Sequence, residues 1–177
     1  MTDSHPINII ETDRLFLRHL TKDDAPFILE LLNDPSFIKN IGDRNVRSIP
    51  DAEAYISKGP VTSYEKNGFG LDLVVLKETG EAIGICGLIK RDTLDDVDIG
   101  YAFLPRFWSK GFAVESALAV REYGQKVHGL KRIVGITLPE NKGSVRVLEK
   151  IGLKFEKMVK LAGDEDELML FAIESNT

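Results

Sequence analysis

Residues 104–117, LPRFWSKGFAVESA, combine a glycine, two cations and the start of a helix in an order that suits anion binding. The apolar run from Val97 to Leu104 reads as a strand, Pro105 and Gly111 mark a short loop, and a helical pattern begins near Phe112. A residue without Cβ lets the backbone turn tightly, so several N–H groups converge where the helix leaves its first donors unpaired. The positive end of the helix dipole lies behind them, with Arg106 and Lys110 beside them. A phosphate or pyrophosphate is the expected guest. Neither the P-loop pattern G-x-x-x-x-G-K-[ST] nor the dinucleotide pattern G-x-G-x-x-G occurs, so the turn alone does not say which phosphate compound it holds.

Carboxylates are the other abundant chemical resource, at Asp95, Asp96 and Asp98 and again in Asp164-Glu-Asp-Glu167. As a group they suit a cationic amine, and like charges gathered at one place raise a carboxyl pKa towards a useful value. Cys86 lies in an apolar run without a neighbouring histidine and reads as a buried thiol. His5, His19 and His128 are scattered, and no Cys/His spacing suggests a zinc site, so no metal is expected.

The elements that must position these residues fit one domain spanning 1–177. A chain of 177 residues, 43% hydrophobic, can bury a substantial core without dividing. Its formal net charge of -5 argues against a nucleic-acid partner. Residues 1–8 are polar, no apolar run approaches membrane-spanning length, and the single cysteine forms no internal disulfide. These features predict a soluble, cytoplasmic protein with no membrane partner.

Thr12 to Leu20 alternates as a half-buried strand, Thr21-Lys-Asp-Asp24 opens a helix that Asn33-Asp-Pro35 stops, and Ser48-Ile-Pro-Asp51 opens a second. Gly59-Pro60 predicts a break or kink there, with Val61 to Asn67 a separate helical turn. Phe69 to Lys77 and Ala82 to Lys90 form a hairpin, and Val97 to Leu104 feeds the glycine turn. The next helix carries Ala113, Ala117, Val120, Gly124 and Val127 on one small-residue stripe. Arg132 to Leu138 is a buried strand, Asn141 to Ile151 a helix, and Phe155 to Leu161 and Leu168 to Ile173 the last strands. Together they give an α/β class with a mixed sheet.

The segments Asp98-Ile-Gly-Tyr-Ala-Phe-Leu-Pro105, Trp108-Ser-Lys-Gly-Phe-Ala113 and Asn141-Lys-Gly-Ser144 through Gly152 resemble the GNAT family of acyl-CoA N-acyltransferases. They are most similar to its RimJ/RimL-type branch, as is the opening T-x-R-L-x-L-R around Thr12 to Arg18, and the resemblance spans about 12–173. Trp108, Gly111 and Ala113 take the first, fourth and sixth places of the signature Q/R-x-x-G-x-G/A, while Ser109 and Phe112 depart from the branch's usual W-G-K-G-Y-A.

This resemblance implies a single-domain GNAT fold, a mostly antiparallel sheet of about seven strands with splayed central strands and about four helices. It implies acetyl-CoA as cofactor, its pantetheine in the splay, held by Phe103, Leu104, Arg106, Ser109, Lys110, Gly111, Phe112, Ala113, Val114, Asn141, Ser144 and Arg146. Asp98 stands where many members carry a carboxylate and is the first candidate for the base. Asp95, Asp96 and the acidic turn, which the resemblance places across the substrate mouth, are its alternatives. Ser144 matches the branch's N-x-x-S and is the candidate proton donor, because Leu148 and Phe171 stand where tyrosines are often found. The implied reaction is direct acetyl transfer to a primary amine, preferably a protein N-terminal α-amine, by a monomer or homodimer. A small amine such as a polyamine, amino acid or antibiotic, or a non-catalytic acyl-CoA sensor, are the alternatives. Glu115 suits the helix dipole, Asn141 either orients the pantetheine amide or caps its helix, and Trp108 and Phe107 either line the substrate or, the preferred reading, anchor the loop.

Overall fold

Alternation builds the sheet from its first long strand: Leu15 and Leu17 are buried while Phe16 and Arg18 point to the other face. The computed structural model describes residues 7–175. Among the described residues eight strands form one sheet: β1 (Asn8–Glu11), β2 (Leu15–His19), β3 (Leu71–Leu76), β4 (Ala82–Ile89), β5 (Val97–Phe103), β6 (Arg132–Thr137), β7 (Lys154–Val159) and β8 (Leu168–Glu174). Their order is β1-β2-β3-β4-β5-β6-β8-β7. Every neighbouring pair is antiparallel except β5 and β6.

That exception shapes the molecule. The parallel pair shares only two rungs, Val97 with Ile133 and Asp98 with Val134, after which the strands part. Between β5 and β6 runs α5 (Phe112–Lys126), which lies over β4 and β5; α6 (Lys142–Lys150) follows β6 and packs beside it. The register puts Asp72, Cys86, Leu88 and Tyr101 on the α5 side of the sheet and Leu73, Ile85, Gly87 and Asp98 on the other. A contact of Leu88 with Gly124 of α5 fixes which side is which.

Four shorter helices stand between β2 and β3: α1 (Ala25–Asn33), α2 (Pro35–Asn40), α3 (Ile49–Ile56) and α4 (Thr62–Asn67). A capping box on Thr21 and Asp24 opens the 3-10 turn Lys22–Asp24 that leads into α1, and the Ser48 side chain accepts from Asp51 N to cap α3. One core unites both sides of the sheet. Truncating one of its fully buried leucines, such as Leu17, to alanine costs about 2–5 kcal/mol.

The architecture departs from expectation in four places. The sheet has an eighth strand, because Thr12 N bonds Leu15 O and turns Asn8–Glu11 back against β2 as β1. Pro35 stops α1 but also begins α2, where a proline at the first position loses no intrahelical bond. Gly59-Pro60 does not break the helix: α3 runs into α4 through one π turn, Ser57–Val61, which absorbs the proline's missing N–H without leaving helical geometry. Val127 leaves the small-residue stripe and is exposed, because α5 ends at Lys126.

Candidate functional site

Beyond Asp98 the β6-facing edge of Ile99–Phe103 has no strand partner, so its backbone polar groups line an open wedge. Tyr101 spans the wedge on the α5 side. Its hydroxyl lies 3.0 Å from Ser144 O and 2.8 Å from Ser144 Oγ, at the start of α6. Ser144 N in turn donates to Asn141 Oδ1 at 3.3 Å, so Asn141 caps its own helix and fixes Ser144. Burial raises the Tyr101 phenol, which stays a proton donor at any physiological pH. Leu148 and Phe171, at the positions where tyrosines are often found, are both in the core. Tyr101 therefore supplies a phenol from the opposite strand. Nothing in its spacing announced this, since it meets a residue 43 positions away.

At the top of the wedge the chain turns into α5. Ser109 (φ 62) and Gly111 (φ 84) both adopt left-handed backbone conformations, which bring successive N–H groups to one side ahead of the helix. A Cβ at Gly111 would lie 3.3 Å from Arg14 Nη2, so a larger side chain would push on Arg14 as well as straining the backbone. Phe103, Leu104 and Phe112 are buried and can offer a ligand backbone rather than side chain, whereas Ala113 and Val114 stand half-exposed in the first turn of α5. The Trp108 indole donates to Phe103 O at 2.8 Å, anchoring the loop as expected.

The cations near the turn divide into free and committed ones. Among the described residues Lys110 and Arg146 have no partner for their charged ends, and both are exposed. Arg106 is tied to Glu30 at 3.0 Å and Glu81 at 3.5 Å. Arg14 was not foreseen here. It donates to Lys110 O at 3.0 Å and pairs with Glu115 at 2.7 Å, and its guanidinium lies 4.4 Å from the Phe112 ring centre. Glu115 thereby does more than face the helix dipole. Burial opposes its charge, but bonds from Thr12 Oγ1 (2.6 Å), Arg14 Nε (2.7 Å) and Arg14 N (3.1 Å) hold its pKa below the usual range. The signal was present in Thr12 and Arg14 of the opening motif, but the separation of 101 positions from Arg14 to Glu115 hid its meaning. A groove of about 550 Å³, walled by Arg14, Lys77, Phe107, Lys110 and Phe112 among others, adjoins the turn.

Asp98 sits on the last closed rung of the wedge, on the face opposite Tyr101, and only 1% of it is exposed. Burial pushes its carboxyl up to about 6, against the pull of Arg91, whose Nε lies 3.1 Å away. Its alternatives are placed differently. Asp96 is bound to Arg132 at 2.9 Å, and Asp95 is exposed in the turn where its carbonyl accepts from Lys90. The acidic turn is exposed beyond the Thr137–Met169 rung, three residues along β6 from the rung of Asp98, or roughly 10 Å up the strand. Asp98 and Ser144 are thus brought to one wedge but from opposite faces. Cys86 is fully buried, and burial pushes its thiol up to about 12.

An open wedge at a parallel pair, a left-handed glycine turn at a helix N-terminus and free cations beside it suit the pantetheine and pyrophosphate of coenzyme A. Comparison with known proteins agrees. Residues 14–154 match the acetyltransferase (GNAT) domain. The chain is 32% identical to a Bacillus subtilis protein named uncharacterized N-acetyltransferase YoaA over 154 residues, 86% of each chain. An acetyltransferase from Agrobacterium tumefaciens superposes with a TM-score of 0.81 at 23% identity, covering 97% of this chain and 96% of that one. RimL, a ribosomal L7/L12 alpha-N-protein acetyltransferase solved with coenzyme A, superposes at 0.79 with 16% identity, covering 95% and 98%. The superpositions show a shared fold, and the domain match together with the B. subtilis relative shows that the chain belongs to the GNAT family as an N-acetyltransferase.

Proposed function

We propose that this protein transfers acetyl from acetyl-CoA directly to a primary amine, with a protein N-terminal α-amine as the preferred acceptor. The observation that carries the reading is the two-rung wedge, which has Asp98 on one face and the Tyr101–Ser144 pair on the other. A thioester brought into the wedge supplies an activated acyl group and a good leaving sulfur. The protein's own tasks are to hold it, remove a proton from the amine and return one to the sulfur.

Lys110 and Arg146 lie free to meet phosphate charge, and the turn through Ser109 and Gly111 offers it backbone N–H groups. The unpartnered edge of β5 offers N–H and C=O groups to an extended amide-bearing chain, in the manner of an added strand. On the other face Asp98, with its pKa near 6, is largely ionised at neutral pH and can take a proton from an ammonium, directly or through water. Ser144 Oγ, held by the Tyr101 hydroxyl, is the proton donor to the departing sulfur, and the phenol behind it can replace the proton given up. Placing the two roles on opposite faces lets the acceptor approach from one side and the cofactor from the other.

The N-terminal α-amine is preferred because the branch resemblance and the overlay with RimL point the same way. Acetyl-CoA-dependent thiol release tests it against two panels, short peptides beginning with Ala or Ser and a set of polyamines and amino acids. Turnover of the peptides is expected. Turnover of small amines alone would replace the acceptor, and tight acetyl-CoA binding with silence on both panels would replace the enzyme by a sensor.

A further inference from the structure

A second cavity, of about 420 Å³, opens beside α3 on the Asp98 side of the sheet. Asp51, Ala54, Tyr55 and Lys58 face it from the helix, a spacing that keeps them on one stripe, and Arg44 and Asn45 close it from the preceding loop. The loop is shaped for this: Asn45 takes a left-handed conformation (φ 57), and its N–H donates to Asp43 Oδ1 at 2.8 Å. At residues 57–61 the π turn carries the stripe onward, so that Lys58 and Gly59 line the cavity where a proline break would have turned them aside.

The charges around this cavity are unbalanced. Arg47 is satisfied, pairing with Asp43 at 2.5 Å and Asn33 at 2.9 Å, and the Asp51 carboxylate accepts from Arg47 N at 3.0 Å. Arg44 and Lys58 have no carboxylate and no hydrogen-bond partner among the described residues. In a chain of net charge -5, two free cations converge on one hollow. The hollow is also linked to the wedge. It lies on the Asp98 side of the sheet, because Arg18 reaches from that face of β2 to Asp24 at the start of α1, and α1 packs on α3. Among the described residues Arg91 meets Asp98 through Nε alone, and its terminal amino groups make no other hydrogen bond.

We infer that this cavity is an anion subsite for the acceptor, and that the preferred amine carries a carboxylate or phosphate a short distance from the nitrogen that is acetylated. The inference rests on the reading of Asp98 as the base. It adds a substrate class which the acidic turn had pointed away from: that turn lies up the strand, and the charged side chain that meets Asp98 is the cation Arg91. Guanidinium and ammonium groups on an apolar stem bind such anions with geometry that a neutral amide cannot repay.

The test uses matched acceptors: peptides Ala-Glu and Ala-Asp with their C-termini amidated against amidated Ala-Gln and Ala-Asn, and phosphoethanolamine against ethanolamine. Each pair is assayed for thiol release with acetyl-CoA and titrated for binding to the protein loaded with coenzyme A. The unaltered protein is expected to prefer the anionic member by about tenfold or more in kcat/KM, chiefly through KM, with added salt eroding the preference. The double variant Arg44→Glu, Lys58→Glu should abolish that preference and leave neutral acceptors and the melting temperature unchanged. The peptide and phosphate pairs separate a carboxylate site from a phosphate site. Equal kcat/KM within every pair, or a preference that survives the charge reversal, would overturn the subsite while leaving the transferase reading intact. Anion-dependent binding that the reversal removes, without turnover of any acceptor, would keep the subsite and sink the transfer reading. Loss of both signals would remove both.

Discussion

Two buried carboxylates, Asp98 and Asp72, occupy neighbouring parts of the same sheet and behave differently. Asp98 lies at the wedge, and Asp72 in the closed hydrogen-bonded sheet between β2 and β4, on the opposite face. Burial pushes Asp98 up to about 6 and Asp72 up to about 7. The difference is in their partners. Asp98 has the permanent charge of Arg91 at 3.1 Å. Asp72 has His19 Nε2 at 3.9 Å, and burial lowers that imidazole's pKa, so it offers no cation at neutral pH. Asp72 Oδ1 is left without a hydrogen bond, beside a His19 ring stacked 3.7 Å from Tyr64. A raised pKa alone therefore does not mark a base. A carboxylate needs an opening through which a substrate proton can reach it, and only Asp98 borders one.

Replacing Asp98 by asparagine should have the largest effect, a fall in kcat/KM of about 100-fold or more if it is the base. Because the ionised form is required, activity of the unaltered enzyme should decline as pH falls through about 6, and this limb should vanish in the variant. A retained limb would transfer the role to another carboxyl.

The same substitution at Asp72 should act on stability and leave activity within about twofold. The sign follows from linkage. The folded carboxyl, near 7, keeps its proton to higher pH than the unfolded one, at the ordinary aspartate value of 3.8, so stability is lost as pH rises between those values. Asp72→Asn removes that loss and should gain on the order of 1–3 kcal/mol at pH 8 relative to its effect at pH 4, read by urea unfolding at both. A variant less stable at pH 8 would show that Asp72 is paired there. On the same face as Asp72 but at the wedge, Tyr101→Phe should lower kcat by about tenfold with KM little changed, and Ser144→Ala should not add to it. Additive losses would separate the two hydroxyls.

The sequence made local features readable and distant meetings unreadable. Gly111, Pro105 and the apolar run before them disclose a strand, a turn and a helix start, because the signal lies within fifteen residues. Cys86 reads as buried from its neighbours alone, and it is. The pairing of Tyr101 with Ser144, the grip of Arg14 on Glu115, and the separation of the acidic turn from Asp98 depend on strand order and on where β5 and β6 part, which no window of residues contains. Gly59-Pro60 announced a break or a kink without saying which. A missing N–H can be absorbed by one wider turn when the residues on both sides remain helical, and composition cannot distinguish that from a break.

The smallest effect sharpens the comparison most, because it changes the environment of Asp98 without touching the carboxylate. Arg91→Gln takes away the cation that holds Asp98 below the value burial would impose, making it resemble Asp72. With a neutral acceptor, the acid limb of the pH–rate profile should then move upward from about 6, so the variant loses more activity at pH 6.5 than at pH 8.5. At the higher pH, where Asp98 is ionised in both proteins, the rates should approach each other. An equal loss at both pH values would mean that Arg91 shapes the wedge rather than the charge within it, and the contrast with Asp72 would then rest on access alone.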